Sequence, residues 1–224
     1  MTSLRWARRA PGMLLLAGLL ALAARTAAQA DPAGTILHDC SGCNLSRANL
    51  RGADLRGARI IGSNLAGADL SDADLRGGSF IGSNMARVRL SGARLTGATF
   101  TGTNLSAVDL HGFDLSGVTF TGTDFRGANL SGARFDGDDV RGADMRDADV
   151  RGTSFRNAEV CWVDHDDGVT ENRCIELDGA SVRGAVFTGA KICERHDREE
   201  ACRPVDAATL RRLSHNDLDG AVLP

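Results

Sequence analysis

Apolar residues recur every five positions along most of this chain. The series opens with Leu45, Leu50, Leu55, Ile60, Leu65, Leu70, Leu75 and Phe80 and runs in steps of five to Val160 without a slip, giving 24 apolar centres. The residue two before a centre is usually small, as at Ala48, Ala53, Ala58, Ser63 and Ala68, and Gly often stands two after it. An α-helix cannot use this spacing: five residues turn it by about 500°, so successive centres smear round its surface. A straight strand fails as well, because an odd spacing sends alternate centres to opposite faces. A bend in every five residues resolves both problems, since the small residue and the centre, two apart, then point inward together. Gly eases the bend, although Arg47, Asp72 and Ala107 take its place. Four bends close a square coil of 20 residues, and a second period of 20 supports four faces: "RIIGSNL" at 59–65 returns as "SFIGSNM" at 79–85, "TFTGTNL" at 99–105 and "TFTGTDF" at 119–125. Ile60, Phe80, Phe100 and Phe120 then stack above one another. With Leu65, Leu70 and Leu75 they make the expected core, buried only because coil lies on coil.

The pattern closely resembles the pentapeptide-repeat family, whose consensus reads A-(D/N)-L-x-x. The resemblance implies an all-β fold, a right-handed quadrilateral β-helix whose narrow interior is filled by Leu, Phe and Ala-class residues. It covers residues 43–160 as six coils and resumes over 175–194 as one more, with centres Leu177, Val182, Phe187 and Ile192. Two residues depart from it. Phe113 is far larger than the usual occupant of its inward slot, and Asp138 puts a carboxylate where an apolar or hydroxyl group belongs. Asp138 and Asp139 repel each other, so a local distortion with water access is expected there.

The flanks carry different signals. Arg5, Arg8 and Arg9 precede the apolar run 12–24 and the small-x-small site Ala28-Gln29-Ala30, the layout of a signal peptide over 1–30. The expected product starts at Asp31, is periplasmic or extracellular, and has no membrane segment after cleavage. It holds 22 Lys plus Arg against 29 Asp plus Glu, a formal charge of −7. Residues 31–42 read as an N-terminal cap. All six Cys follow the cleavage site, in a chain where disulfides are allowed. Between Val160 and Leu177 the register slips, and the insert 161–174 reads as an exposed loop or hairpin stapled at its base by Cys161 and Cys174, worth about 3 kcal/mol on the chain-entropy account. Cys193 and Cys202 are placed to tether the tail 195–224, in which Asp206 to Leu213 has an N-cap followed by helix formers, a short helical cap for the open end. Cys40 and Cys43 either pair with each other or stay free as small inward hydrophobes.

Candidate chemistry is sparse. Asp164, His165, Asp166, Asp167 and Glu171 form the densest set of ligating groups and the weak candidate for a cation, but the spacing fails an EF-hand loop: aligning Gly168 with its invariant Gly puts Val163 and Cys174 at the end positions. The glycines follow the repeat and lack the Lys-Ser/Thr of a phosphate loop, and no zinc spacing is complete. No catalytic residue and no cofactor are expected. Residues 41–100 carry 8 Arg and 4 Asp, net +4, while 101–160 carry 6 Arg and 10 acidic groups, net −4. That split suits neither a coherent basic stripe for nucleic acid nor the sustained negative rail of the family's DNA-mimicking, topoisomerase-binding rods. It does permit head-to-tail self-association. The expectation is a non-enzymatic exported solenoid acting as scaffold for an unidentified protein partner. The alternatives are an enzyme or cation-dependent module built on the acidic insert, and, behind it, a DNA mimic.

Overall fold

The computed structural model describes residues 39–164, 171–196, 199–214, 216 and 218–224. Each pentad ends in a tight turn. The carbonyl of a centre accepts the N–H three residues on, as Leu70 does from Ala73 at 3.0 Å, and the residue two after the centre lies in the left-handed region. Gly52 and Gly67 take φ of 68° and 67°, but so do residues with a Cβ: Arg47 at 57°, Asp72 at 60°, Ala107 at 54°. The conformation is compulsory while the glycine is not, at a local cost of about 1 kcal/mol where it is missing.

Between turns, short extended segments pair in parallel with those 20 residues away. Leu65 N–H donates to Asn84 O at 2.7 Å and Asn84 N–H to Ser63 O at 2.8 Å, and the pairing recurs on each face. The product is a quadrilateral β-helix. Every centre from Leu50 to Val160 is buried, and Leu45, in the outermost described coil, is half-buried. Phe80, Phe100 and Phe120 stack with ring centroids 5.1 and 5.4 Å apart. The aromatic column then changes face, because Phe120 meets Phe135 edge-on and Phe135, Phe155 and Phe187 continue at 5.3 and 5.0 Å. Hydroxyls in inward slots are satisfied by the coil below: Ser83 Oγ donates to Ile60 O and Thr123 Oγ1 to Phe100 O, both at 2.8 Å. Such residues fill corner space without leaving a buried polar group unpaired.

The ends are closed by pairing. At the start, β1 (Asp39–Ser41) pairs in parallel with β2 (Arg59–Ile61), so Cys40 lies under Ile60 at the foot of the aromatic column. Cys40 and Cys43 are joined by a disulfide, so neither is free. At the other end the coil leaves its path through β3 (Glu159–Asp164), returns through β4 (Glu171–Cys174), and lays one more coil on top with a 32-residue offset, Asp144 beside Glu176 and Asp149 beside Ser181. The tail forms β5 (Lys191–His196) and β6 (Glu199–Pro204), then α1 (Ala207–Ser214), where Asp206 caps the helix by accepting Thr209 N–H at 2.8 Å. Val222 then pairs with Val186 and Phe187 N–H donates to Val222 O, so an extended segment shares the covering of the last coil with the helix. The base of the insert is no isolated loop. Its strands enter a four-stranded sheet, β4-β3-β5-β6, with Cys161, Val163 and Cys174 buried. Among the described residues no helix is long and apolar enough to cross a membrane.

The ladder breaks in two places. Leu90, Gly92 and Leu95 N–H lack the bonds their equivalents make to the next coil, as do Asp109 and Asp114 N–H to the coil before. Bonding is intact on both sides, from Met85 to Asn104 and from Phe100 to Thr119. Farther up, Gly117 N–H turns from the backbone to the Asp138 carboxylate. These are the two inward slots with the wrong occupant, Phe113 and Asp138.

Candidate functional site

The outward positions show why the rod has little free charge. Where an Asn or Asp precedes a centre it accepts the N–H two residues on, and where an Asp is followed at that distance by Arg the guanidinium folds back onto the same carboxylate. Arg76 places Nε and Nη2 on Asp74 at 2.7 and 2.5 Å, and Arg56, Arg126, Arg146 and Arg151 repeat the arrangement on Asp54, Asp124, Asp144 and Asp149. Hydrogen bonds from Arg89 and Ser71 pull the Asp69 carboxyl down to about 2. Within these pentads the charges cancel locally, while residues 41–100 stay net positive and 101–160 net negative, so neither sign forms a continuous rail.

The densest constellation lies where rod meets cap. Arg141 holds Asp139 through two bonds of 2.8 Å, reaches Glu159 Oε2 at 3.5 Å, and lies 4.7 Å from the centre of the Trp162 ring. Burial raises the Asp139 carboxyl, but Arg141 and the Thr121 hydroxyl, 2.7 Å away, more than reverse it, so the acid titrates below its ordinary value. A cavity of about 300 Å³ opens beside Arg141, between Gly122 and Gly142 of the rod and Asn172 and Arg173 of β4. Here the guanidinium is fixed by two carboxylates and an aromatic face. The arrangement holds its polar groups rigidly, and the Thr121 hydroxyl donates to a carboxylate whose lowered titration makes it a poor base. Sequence reasoning missed Arg141 as a hub, because its own pentad looks like any other and only Trp162, across the register slip, distinguishes it.

Asp138 is buried, 3% exposed, with Oδ1 accepting Gly117 N–H at 2.6 Å and Oδ2 without a hydrogen-bond partner. The expected water access is absent at this carboxyl. Burial pushes it up to about 7, against the Gly117 bond and with repulsion from Asp136 and Asp114. Its neighbour Asp139 is the carboxylate that stays paired.

The acidic insert is partly in view. Asp164 stands opposite Glu171 in the β3–β4 register, and Glu171 holds Arg173 at 3.2 Å. His165, Asp166 and Asp167 lie outside the described residues. The grouping of ligating atoms found among the described residues is elsewhere: Glu159, Cys193 and Cys202, within 4.8 Å of one another. The two sulfurs are bonded to each other, so this group offers no thiolate and does not fit a metal in its oxidised form. Cys161 is joined to Cys174 across the insert base. The core residues Leu65, Leu70, Leu75, Phe80, Phe100 and Phe120 are all fully buried.

The family model of pentapeptide repeats matches the chain in 8 copies over residues 39–77, 79–112, 103–139 and 123–160. The chain belongs to the pentapeptide-repeat family. No curated protein matches it. Among solved structures it is similar to HetL, a pentapeptide repeat protein involved in heterocyst differentiation regulation in the cyanobacterium Nostoc sp. strain PCC 7120, at 30% identity over 70% of this chain and 67% of that one, TM-score 0.35. Trypsin-treated QnrB1, a plasmid-mediated fluoroquinolone resistance protein, is 23% identical over 70% of each chain, TM-score 0.42. A pentapeptide repeat protein of the Arabidopsis thaliana thylakoid lumen is 28% identical over 46% of this chain and 68% of that one, TM-score 0.19.

Proposed function

We propose that this protein is an exported, non-enzymatic scaffold that holds a protein partner against its flat outer faces and its capping sheet. The observation that carries the reading is the filled interior. Side chains occupy the rod from Leu50 to Val160, with the aromatic stacks at its centre, so recognition falls to the outside. There the paired Asp and Arg side chains present regularly spaced polar groups with little net field, which favours a protein surface over a polyphosphate. The same cancellation counts against mimicry of DNA. Export rests on the leader pattern at 1–30 and agrees with six cysteines in three disulfides.

The test is affinity capture from the native envelope fraction, with the mature chain as bait and a Leu70→Asp chain as unfolded control. A protein retained by the folded bait alone is the expected result; capture of nothing, or of the same proteins by both baits, would overturn the reading. Terminal sequencing of the native protein should begin at Asp31, and an intact Met1 would remove the compartment argument.

A further inference from the structure

Of the six cysteines only Cys202 is exposed; Cys43 is half-buried and the other four are buried. Cys202 lies on β6 directly opposite Cys193 of β5, and the two are joined. A third ligating group stands beside them. The carboxylate of Glu159, the first residue of β3, and both sulfurs lie within 4.8 Å of one another. While the sulfurs are bonded they offer no thiolate. Opening that bond changes the chemistry, because two thiolates and a carboxylate make a donor set for a borderline-soft divalent cation.

This disulfide is also the one most open to exchange. An attacking thiolate needs a line of approach to sulfur, and Cys202 offers it where the buried Cys161 and Cys174 do not. A thiolate of a dithiol reductant attacks Cys202 Sγ, the S–S bond breaks, and its electron pair leaves with Cys193 Sγ, which takes up a proton. The reductant's second thiol attacks its own sulfur in the mixed disulfide, closing a ring and releasing Cys202, which is protonated in turn. Two electrons and two protons pass to the pair.

The sheet keeps the sulfurs together afterwards. β5 is paired to β3 on one side and to β6 on the other, with Lys191 to His196 opposite Pro204 to Glu199. Cys193 and Cys202 are nine residues apart, so opening so short a loop frees little chain entropy. Cross-strand neighbours carry Cβ atoms about 5 Å apart, from which two sulfurs can reach one tetrahedral ion at about 2.3 Å. Glu159 is oriented from behind: Arg141 Nη2 lies 3.5 Å from its Oε2. The same guanidinium offsets part of the charge that two thiolates and a carboxylate bring together.

We propose that Glu159, Cys193 and Cys202 form a redox-gated site for Zn²⁺. The site is closed while the disulfide stands. Once a dithiol has opened it, the ion binds both sulfurs as thiolates, their two protons pass to water, and the Glu159 carboxylate becomes the third ligand with water at the fourth position. The carboxylate decides for Zn²⁺ over Cu⁺, which favours sulfur. The cap then has two clasps at one place, one covalent and one through the metal. This site and the partner-binding reading stand independently of each other.

The test uses the mature chain, treated with limiting dithiothreitol and freed of it under argon, with Co²⁺ as the coloured probe. Alkylation and peptide mapping should find Cys193 and Cys202 opened before the other four. The reduced chain should bind one Co²⁺ with the absorbance of thiolate ligation and lose it to Zn²⁺, and the oxidised chain should bind none. Amides of Glu194 and Ala201, opposite each other beside the cysteines, should exchange faster after reduction and slow again with Zn²⁺. Glu159→Gln should open the same two thiols but weaken Co²⁺ binding by about tenfold or more. Cys202→Ser should abolish the thiolate absorbance. Absorbance that survives Cys202→Ser would move the metal to Cys40 and Cys43 and overturn the proposal. So would equal affinity in Glu159→Gln, no thiolate absorbance at all, binding by the oxidised chain, or another disulfide opening first.

Discussion

Phe113 and Asp138 occupy the same kind of inward slot, one coil apart and on different faces, and the rod answers them differently. At Phe113 the misfit is one of volume. Neither coil can shrink, so five backbone bonds open and water gains a cleft. At Asp138 the misfit is one of polarity with little excess volume. The carboxylate takes over the part of a backbone carbonyl for Gly117, and the ladder loses only the bridge between 119 and 139, with Phe120 N–H still bonded to Asp139 O, at the cost of one unpartnered buried oxygen. A stack of pentads therefore absorbs a polar error by substituting one acceptor for another, but an oversized side chain only by parting. The difference follows from close packing, which leaves no slack for a ring, and from the ladder, which offers many N–H groups to a stray acceptor.

The largest effect should come from placing a carboxylate where no such N–H is free. Leu70 sits at a centre, fully buried, with its surrounding amides engaged. Leu70→Asp should cost about 4 kcal/mol or more, whereas Leu70→Met, which roughly keeps volume, should cost under about 1.5 kcal/mol. Denaturant midpoints measure both. Equal midpoints would show that Asp138 is tolerated for some reason other than its bond to Gly117.

A second variant moves the volume error. Ala73 lies in the Phe113 column two coils below, in a stretch where Leu50, Gly52 and Leu55 N–H all pair at 2.8 Å with Asp69, Ser71 and Asp74 O. Ala73→Phe should transplant the opening, with faster hydrogen exchange at those three amides and a loss of up to about 3 kcal/mol. Retained protection there would mean that the break at Leu90 has a cause other than Phe113.

The sequence made much of this legible, and the boundary has a physical reason. A five-residue register is written in local residue types, so the centres at 45 to 160, the square coil and the misfits at Phe113 and Asp138 could be read one pentad at a time. The capping helix was legible in the same way, through Asp206 and the helix formers after it. The strand-to-strand choice was not. Whether β3 pairs with β4 alone or also with β5 depends on contacts across some 30 residues, so the insert read as an exposed loop or hairpin stapled at its base, without the sheet it enters. Arg141 escaped for the same reason: its distinguishing neighbour, Trp162, lies one coil above. The consequences of the two misfits also needed geometry, because residue type shows that Phe113 is too large without showing which bonds yield.

The Asp138 side of the comparison is sharpened by pH. The unfolded carboxyl titrates near 3.9 and the folded one at about 7, so between those values the folded state holds the proton and the unfolded state does not. Stability from this residue is therefore highest below about pH 4 and falls as pH rises to 7. Asp138→Asn keeps an oxygen for Gly117 without the charge. It should flatten that slope and leave the chain more stable at pH 8 by roughly 2 kcal/mol, as read by denaturation at several pH values. An unchanged slope would place the titrating group elsewhere.

The smallest effect is expected where a carboxylate has everything Asp138 lacks. Asp74 carries its own cation: Arg76 binds it in two places and holds its carboxyl below the ordinary range. Both side chains are nonetheless partly in solvent, at 38% and 21% exposure, so water and salt already do much of what the guanidinium does. Arg76→Gln should let the Asp74 titration, followed by NMR, return toward its usual position while stability changes by less than about 0.5 kcal/mol, and by nothing measurable in molar salt. A cost comparable to that of Leu70→Asp would mean that the outward Asp–Arg pairs hold the coil together. In that case the contrast between the tolerant acceptor slot and the intolerant volume slot would no longer explain where this rod yields.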